Sequence, residues 1–520
     1  CYHGPLNRFM ISHDTIPAEP PVDLVHHPRW QEEDLGLPLP DSPHAVSVAM
    51  PLWEHVVAYE ENDPRVTSRF QSGYPRFFLQ PVVRRLFSDA GLRSARDGEQ
   101  AVVFPSGEAA ARCSEYVERK GRVRPRLIPF GWGDLTSVLV PTAGGAFDSA
   151  MKYWRYCGEI VSSRVAEQAL LGAAPDPAIR QAGERARREI RQHLADYAGQ
   201  SAAEVFLYPS GMAAIAVLHR ALVRLNPGLP TAQVEFPYVD LLKVQEEFGS
   251  GVHPFLLAPG GGPPEIAPLL YQGGLAGVYT EAPSNPLMRT ADLPGLASML
   301  APRGIPLVVD DTVASSVNVD VLRYADVAVS SLTKWFSGQG DVLAGAVILR
   351  SNSPLAADLG RALRAEGGED LSDWDAIALE KTSRNYESRV LQVNRTAAAL
   401  HDLLSGHPGV ERIWHPLTET PHHFEAVWRG RPAGHGGLLS LLLKDSDRTS
   451  PSFYRHLRLC KGPSFGTAFS MACPFTLLAH YQELEAVARS GVPANLIRVS
   501  VGLEDEEDLL QRFQRALESR

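Results

Sequence analysis

The sequence predicts an α/β protein: a mostly parallel sheet covered by helices on both faces, followed by a smaller α+β unit and preceded by an irregular front region. Three observations predict it. The chain has 520 residues, more than one hydrophobic core serves, so two or three domains are expected. Between about 165 and 350, short apolar runs rich in β-branched residues alternate with helical stretches, the pattern of strands buried on both faces. From about 370 onward long helical stretches dominate, with few strands between them. The expected division is an accessory region over 1–150, a large domain over 151–365 and a small domain over 366–520.

The lead-in, to about residue 50, is rich in Pro, His and Asp and reads as loosely structured. Residues 45–147 show short strands and helices with frequent Pro and Gly breaks. Within them, Phe104-Pro105-Ser106-Gly107-Glu108-Ala109-Ala110 echoes Tyr208-Pro209-Ser210-Gly211-Met212-Ala213-Ala214. Both read as a strand that turns through Ser-Gly into a helix, and two copies are too few for a repeat architecture. Residues 205–208 read as a strand and 212–225 as the helix behind it, closed by Asn226-Pro227-Gly228. Residues 277–281, 305–310 and 326–331 read as further strands, 258–264 as a loop, and 497–501 as a strand of the small domain.

Composition excludes several classes of function. Apolar residues are 44% and charged residues 21%, ordinary for a globular chain. The net charge of −10 argues against nucleic acid, which needs a basic face. The basic stretch 185–191 is mixed with Glu and keeps Ile190, Leu194 and Tyr197 on one side, as a solvated helix does. The 5 cysteines form no CxxC pair, which fits a reducing, cytoplasmic setting and offers no zinc finger. No apolar run has the length of a membrane span and no signal peptide is visible. The first residue is Cys1 rather than Met, as in a chain trimmed or cut from a longer multidomain polypeptide.

Five segments carry chemistry. In Ser330-Ser331-Leu332-Thr333-Lys334 a strand ends in hydroxyls and a lysine. Ligands of open α/β sheets bind at such ends, and a lysine there can form a Schiff base with an aldehyde, while the Ser331 and Thr333 hydroxyls suit a phosphate. In Val308-Val309-Asp310-Asp311-Thr312 an apolar strand runs into a carboxylate, fit to keep a pyridine nitrogen protonated or, more blandly, to cap a helix. The turn at Ser210-Gly211-Met212 offers free N–H groups and a helix dipole to a phosphate. Asn285, between Pro283 and Pro286, presents a rigid amide. In the strand at Ile497-Arg498-Val499-Ser500-Val501, Arg498 faces away from the apolar side and wants a carboxylate, from a substrate or from the protein itself.

Together and in this order, these segments resemble the Cys/Met-metabolism family of pyridoxal 5′-phosphate (PLP) enzymes, which includes cystathionine γ-synthase, cystathionine lyases and methionine γ-lyase. The front part, 45–59 with Gly73-Tyr74-Pro75-Arg76-Phe77-Phe78, looks like the extended N-terminal region of fungal-type cystathionine γ-synthases, as do 158–164 and 460–464. The resemblance implies the aspartate aminotransferase-like fold (fold type I), with a seven-stranded sheet. It implies that Lys334 binds the cofactor and later moves protons, that Asp310 pairs with the ring nitrogen, and that Tyr238 stacks on the ring and assists proton transfer. Gly211, Met212, Ser331 and Thr333 would hold the phosphate, and Asn285 the ring oxygen. Arg164 would reach the phosphate of a neighbouring subunit, in a dimer or tetramer. Arg498, with help near Ser464, would hold the substrate carboxylate.

Three positions depart from the family pattern. The Tyr-x-Arg phosphate pair is matched to Ser162-Ser163-Arg164, a glutamate that reads the far end of the substrate is matched to Phe469, and Asp311 stands where Asn is usual. The first functional expectation is γ-replacement on an activated homoserine by a thiol. The alternative is a C–S β-lyase acting on cysteine or an S-substituted cysteine, as in a domain excised from a polyketide assembly line. A non-catalytic scaffold is a third reading. His422, His423 and His435 read as surface residues rather than metal ligands, and Cys473 as a small buried hydrophobe.

Overall fold

The computed structural model describes residues 21–519, apart from 173, 175, 237, 256–265, 273 and 369–370. The loop expected at 258–264 lies outside the described residues. After two-residue strands at Pro38–Leu39 and Ser47–Val48 comes a module with its own core. It consists of β1 (Glu99–Phe104), α1 (Gly107–Arg119), β2 (Arg126–Pro129), β3 (Thr136–Pro141) and α2 (Ala146–Cys157), with the strands antiparallel in the order β1-β3-β2. The boundary expected at 150 falls inside α2, and the core of this module continues to Ala166 and Ala169.

The central sheet follows. Its elements are α3 (Pro177–Ala198), β4 (Val205–Tyr208), α4 (Gly211–Leu225), β5 (Thr231–Val234), α5 (Val239–Phe248), β6 (Val252–Phe255), β7 (Val278–Glu281), β8 (Leu307–Asp310), β9 (Val327–Ser331) and β10 (Gly345–Leu349). The 7 strands lie in the order β4-β10-β9-β8-β7-β5-β6, all parallel except β10. Alternation along each strand builds two layers. Phe206, Tyr208, Val327 and Val329 pack with Met212, Ile215 and Leu222 of α4 on one face. Val205, Leu207, Val309 and Ala328 pack with Ile190 and Leu194 of α3 on the other. The sheet is therefore the fold type I sheet that the sequence predicts.

The third unit holds α6 (Tyr386–Ser405), β11 (Val410–Trp414), β12 (Leu438–Leu443), β13 (Cys460–Lys461), β14 (Met471–Pro474), β15 (Ile497–Ser500) and α7 (Glu506–Glu518). Its 5-stranded sheet runs β11-β12-β15-β14-β13. The lead-in is stitched onto it: Met50 N–H donates to Lys461 O (2.8 Å), and the fully buried Lys461 Nζ donates to Pro51 O (3.0 Å). Among the described residues no helix is long and apolar enough to cross a membrane.

Candidate active site

The parallel strands β4, β7, β8 and β9 end on the same edge of the central sheet, and each ends in a residue with chemistry. Lys334 follows β9 and is buried. Its Nζ donates to Ser464 Oγ at 2.9 Å and lies 4.8 Å from the centroids of both the Tyr74 and Phe465 rings. Burial, then the nearby Arg498 and Arg76 guanidiniums, push its pKa down to about 7. An amine at that value is substantially neutral, and so nucleophilic, near pH 7.

Asp310 ends β8 in register with Glu281 at the end of β7. Thr312 N–H donates to Asp310 Oδ1 at 2.8 Å, while burial pushes the carboxyl up to about 6. Glu281 is raised well above its usual range by burial first and by Asp310 second, although it accepts the N–H groups of Tyr238 and Asn285. Two adjacent buried carboxyls call for a cation, which a protonated ring nitrogen would supply. Asn285 is buried and its Oδ1 has no hydrogen-bond partner, an acceptor left open toward the site.

At the end of β4, Ser210 caps α4 by accepting from Ala213 N–H (3.0 Å) and donates to Gly158 O (2.8 Å). Gly211 and Met212 therefore occupy the first helical positions, whose N–H groups have no intrahelical partner. A Cβ on Gly211 would come within 2.8 Å of Ser331 Cβ, so glycine is what lets this turn meet β9. Ser331 N–H donates to Thr312 Oγ1 (2.8 Å). Thr333 differs from its expected role: its hydroxyl accepts from Ala344 N–H (3.1 Å) and donates to Ala344 O (3.4 Å), so it ties β9 to the start of β10.

Arg498 comes from β15, at 5% exposure, and pairs with no carboxylate among the described residues. Its Nη2 donates to Pro463 O (2.8 Å) and Ser464 O (3.0 Å), and its Cζ stands 5.1 Å and 5.0 Å from the Phe465 and Phe475 rings. Cys473, buried on β14, lies opposite Arg498 in the ladder.

Tyr238 meets an unexpected neighbour. Arg76 Nη2 donates to Tyr238 Oη and pairs with Asp240 Oδ2 at 2.6 Å, with Arg76 and Asp240 only 2% and 6% exposed. Burial raises the Tyr238 phenol, and Arg76 opposes that rise. Arg164, by contrast, is tied within its own chain to Asp341 (2.9 Å) and Asp375 (3.5 Å). The structure thus gathers Lys334, Asp310, Asn285, Gly211, Ser331, Tyr238, Ser464 and Arg498, and it commits Arg164 and Thr333 elsewhere. Sequence reasoning missed Tyr74, Arg76, Asp240, Glu281 and Phe465. The signal for two of them was present, since Tyr74-Pro75-Arg76 is an intact Tyr-x-Arg.

Phe469 lines no part of the site; it packs with Leu24, Leu39, Cys460 and Met471. Asp311 accepts from Ser330 Oγ and is pushed up to about 7 by burial. His435 is stacked between Phe424 and Trp428, and no metal-binding cluster occurs among the described residues.

The buried Lys334 amine, the adjacent Asp310 and Glu281 carboxyls and the Gly211 cradle fit pyridoxal phosphate. Comparison with known proteins agrees. The model of the Cys/Met metabolism PLP-dependent enzyme family matches residues 271–518, and that of the fungal trans-sulfuration enzyme N-terminal domain matches 82–162. The chain is 30% identical to a putative cystathionine gamma-synthase of Saccharomyces cerevisiae, over 93% of this chain and 98% of that one. It is 32% identical to an L-2-amino-4-chloropent-4-enoate dechlorinase/desaturase of Streptantibioticus cattleyicolor, over 92% and 97%. A cystathionine gamma synthase structure from Xanthomonas oryzae pv. oryzae superposes with a TM-score of 0.58 at 27% identity, covering 65% of this chain and 87% of that one. The chain belongs to the Cys/Met metabolism PLP-dependent enzyme family.

Proposed function

We propose that this PLP-dependent enzyme breaks a bond at Cγ of an amino acid and replaces the departing group with a thiol, as in cystathionine γ-synthesis. One observation carries the reading. Two buried nitrogen groups, the Lys334 amine and the Arg498 guanidinium, flank Phe465 and Ser464, and neither has a carboxylate partner among the described residues. Burying an unpaired guanidinium is costly unless a ligand completes it, and an α-carboxylate does so with two parallel bonds.

When bound, pyridoxal phosphate supplies an aldehyde for attachment of an amine and a ring that accepts electrons from Cα. The protein's part follows from the geometry. Gly211, Met212 and Ser331 would hold the phosphate, joined by Arg164 from a second copy, and Arg76 would hold the Tyr238 phenol in place. Asp310, backed by Glu281, would keep the ring nitrogen protonated, and Asn285 would hold the ring oxygen. Arg498 would fix the carboxylate and so orient the Cα–H bond. Lys334 Nζ, neutral at moderate pH, would take that proton, and Ser464 Oγ, 2.9 Å away, would hold the lysine in place while it does.

Relatives favour Cγ over Cβ. One is named a γ-synthase, and in the other's named substrate the chlorine sits on C4, which is Cγ. The same reading divides the chain near 150 and 365, assembles it with a second copy and places it in the cytoplasm, in keeping with its buried free thiols. The test is a product assay on the PLP-loaded protein. O-acetylhomoserine, an activated homoserine whose leaving group is uncharged, should give cystathionine with cysteine. Pyruvate and sulfide from cysteine or cystine alone, with no cystathionine, would overturn γ-replacement in favour of a β-lyase.

A further inference from the structure

One ring touches both nitrogen groups of the amino-acid site. The Phe465 centroid lies 4.8 Å from Lys334 Nζ and 5.1 Å from Arg498 Cζ, and the Tyr74 ring lies 4.8 Å from the same Nζ. In an α-amino acid, one carbon separates the amine from the carboxylate. A ligand with its amine where Lys334 ends and its carboxylate on Arg498 therefore has Cα beside Phe465, which brings that ring within reach of its side chain.

The charges around this path are already committed. Arg498 serves the carboxylate. Arg76 is paired with Asp240, and these two guanidiniums are the charged groups that act on Lys334. At Phe469, where a carboxylate would have read a distal ammonium, the side chain is turned into the cluster with Leu39 and Met471. An anionic group on the substrate's side chain would thus be desolvated against the negative face of an aromatic ring, whereas an uncharged group gains contact.

We propose that Phe465 is the specificity-determining wall for the substrate's Cβ–Cγ arm, and that it selects an uncharged substituent at Cγ over an anionic one. The inference rests on the reading of Lys334 and Arg498 as the amino-acid site. It concerns binding, so its test needs no turnover.

The test compares wild-type holoenzyme with the F465A and F465L variants. Alanine (no arm), norvaline (uncharged arm) and glutamate (charged arm) are titrated, reading the change in the cofactor's visible absorbance, with a melting curve to confirm folding. Wild type should bind norvaline at least about tenfold more tightly than glutamate. F465A should weaken norvaline by about tenfold and leave alanine within about twofold, and F465L should restore most of the loss. Equal weakening of alanine and norvaline would reduce Phe465 to a support for Arg498, and unchanged norvaline binding would remove it from the substrate path; either result overturns the proposal. No response of wild type to alanine overturns the amino-acid site itself, and the wall with it.

Discussion

The turns at Ser106-Gly107 and Ser210-Gly211 differ little in sequence and little in local structure. Each follows a strand, and in each the serine caps the helix by accepting the N–H three residues on, at 3.2 Å from Ala109 and 3.0 Å from Ala213. What separates them is the neighbouring strand. Beside Gly211 stands Ser331, with Lys334 three residues further on, and a Cβ on Gly211 would meet Ser331 Cβ at 2.8 Å. Beside Gly107 stands Thr136 of an antiparallel partner, and a Cβ there would meet only its Oγ1, at 3.7 Å. The first turn of α1 also carries Glu108, which occupies the positive end of the helix and would repel a phosphate, where α4 has Met212. A strand–Ser-Gly–helix segment makes a capped turn wherever it occurs. It becomes a phosphate cradle only where the fold sets a hydroxyl and a lysine against it.

Four measurements would break or sharpen this contrast, the largest effect first. Lys334→Ala should abolish both turnover and the visible cofactor band, while the same change at Lys120, at the end of α1, should leave both unchanged; a K334A protein that retains full activity would undo the assignment of the site. Gly211→Ala should lower PLP affinity by about tenfold or more, because the added methyl must displace Ser331, and equilibrium dialysis of the cofactor measures it. Gly107→Ala meets only ordinary contact, so its melting curve should shift by no more than about 0.5 kcal/mol in equivalent stability and its PLP affinity should not change.

Next is the pH dependence of cofactor attachment, which only the second turn should show. The Lys334 pKa is lowered from 10.5 to about 7, so the neutral amine is fully present well above pH 7 and is lost as pH falls through 7. The rate at which PLP attaches to the apo-protein should therefore rise to a plateau with a midpoint near 7. Because Arg498 is one of the groups that depress this lysine, Arg498→Ala should move the midpoint upward. A midpoint near 10 in wild type would mean that the lysine is not in the buried environment described above. The smallest effect is common to both turns: Ser106→Ala and Ser210→Ala should each cost about 1 kcal/mol of stability from the lost cap. Ser210→Ala should cost more, since that hydroxyl also holds Gly158 O.

The same contrast explains which parts of the site were legible. Strands at 205–208, 278–281, 307–310 and 327–331 announce themselves as apolar runs ending in polar residues, because a strand covered on both faces has no other composition open to it. Their ends were therefore readable as one edge, and Asp310, Lys334 and Asn285 lie beside it. Arg164 and Arg76 could not be ranked in that way. Both sit in the front third of the chain, and their partners lie far along it: Arg76 meets Tyr238 162 positions on, and Arg164 meets Asp341 177 positions on. The bonds of the Thr333 hydroxyl were not legible for a related reason: its partner, Ala344, lies just before β10.

The sequence by itself determined the kind of chemistry. A lysine, an aspartate, a glycine turn and an arginine at the ends of recognisable elements are local signals, since backbone periodicity, capping and glycine's missing side chain act over a few residues. Tertiary structure alone decided which of two alike turns faces Ser331, which arginine meets Tyr238, and which aromatic ring stands between Lys334 and Arg498. Those outcomes depend on packing between segments distant in the chain, where position is set by the combined fit of many side chains and no short stretch of sequence carries the answer.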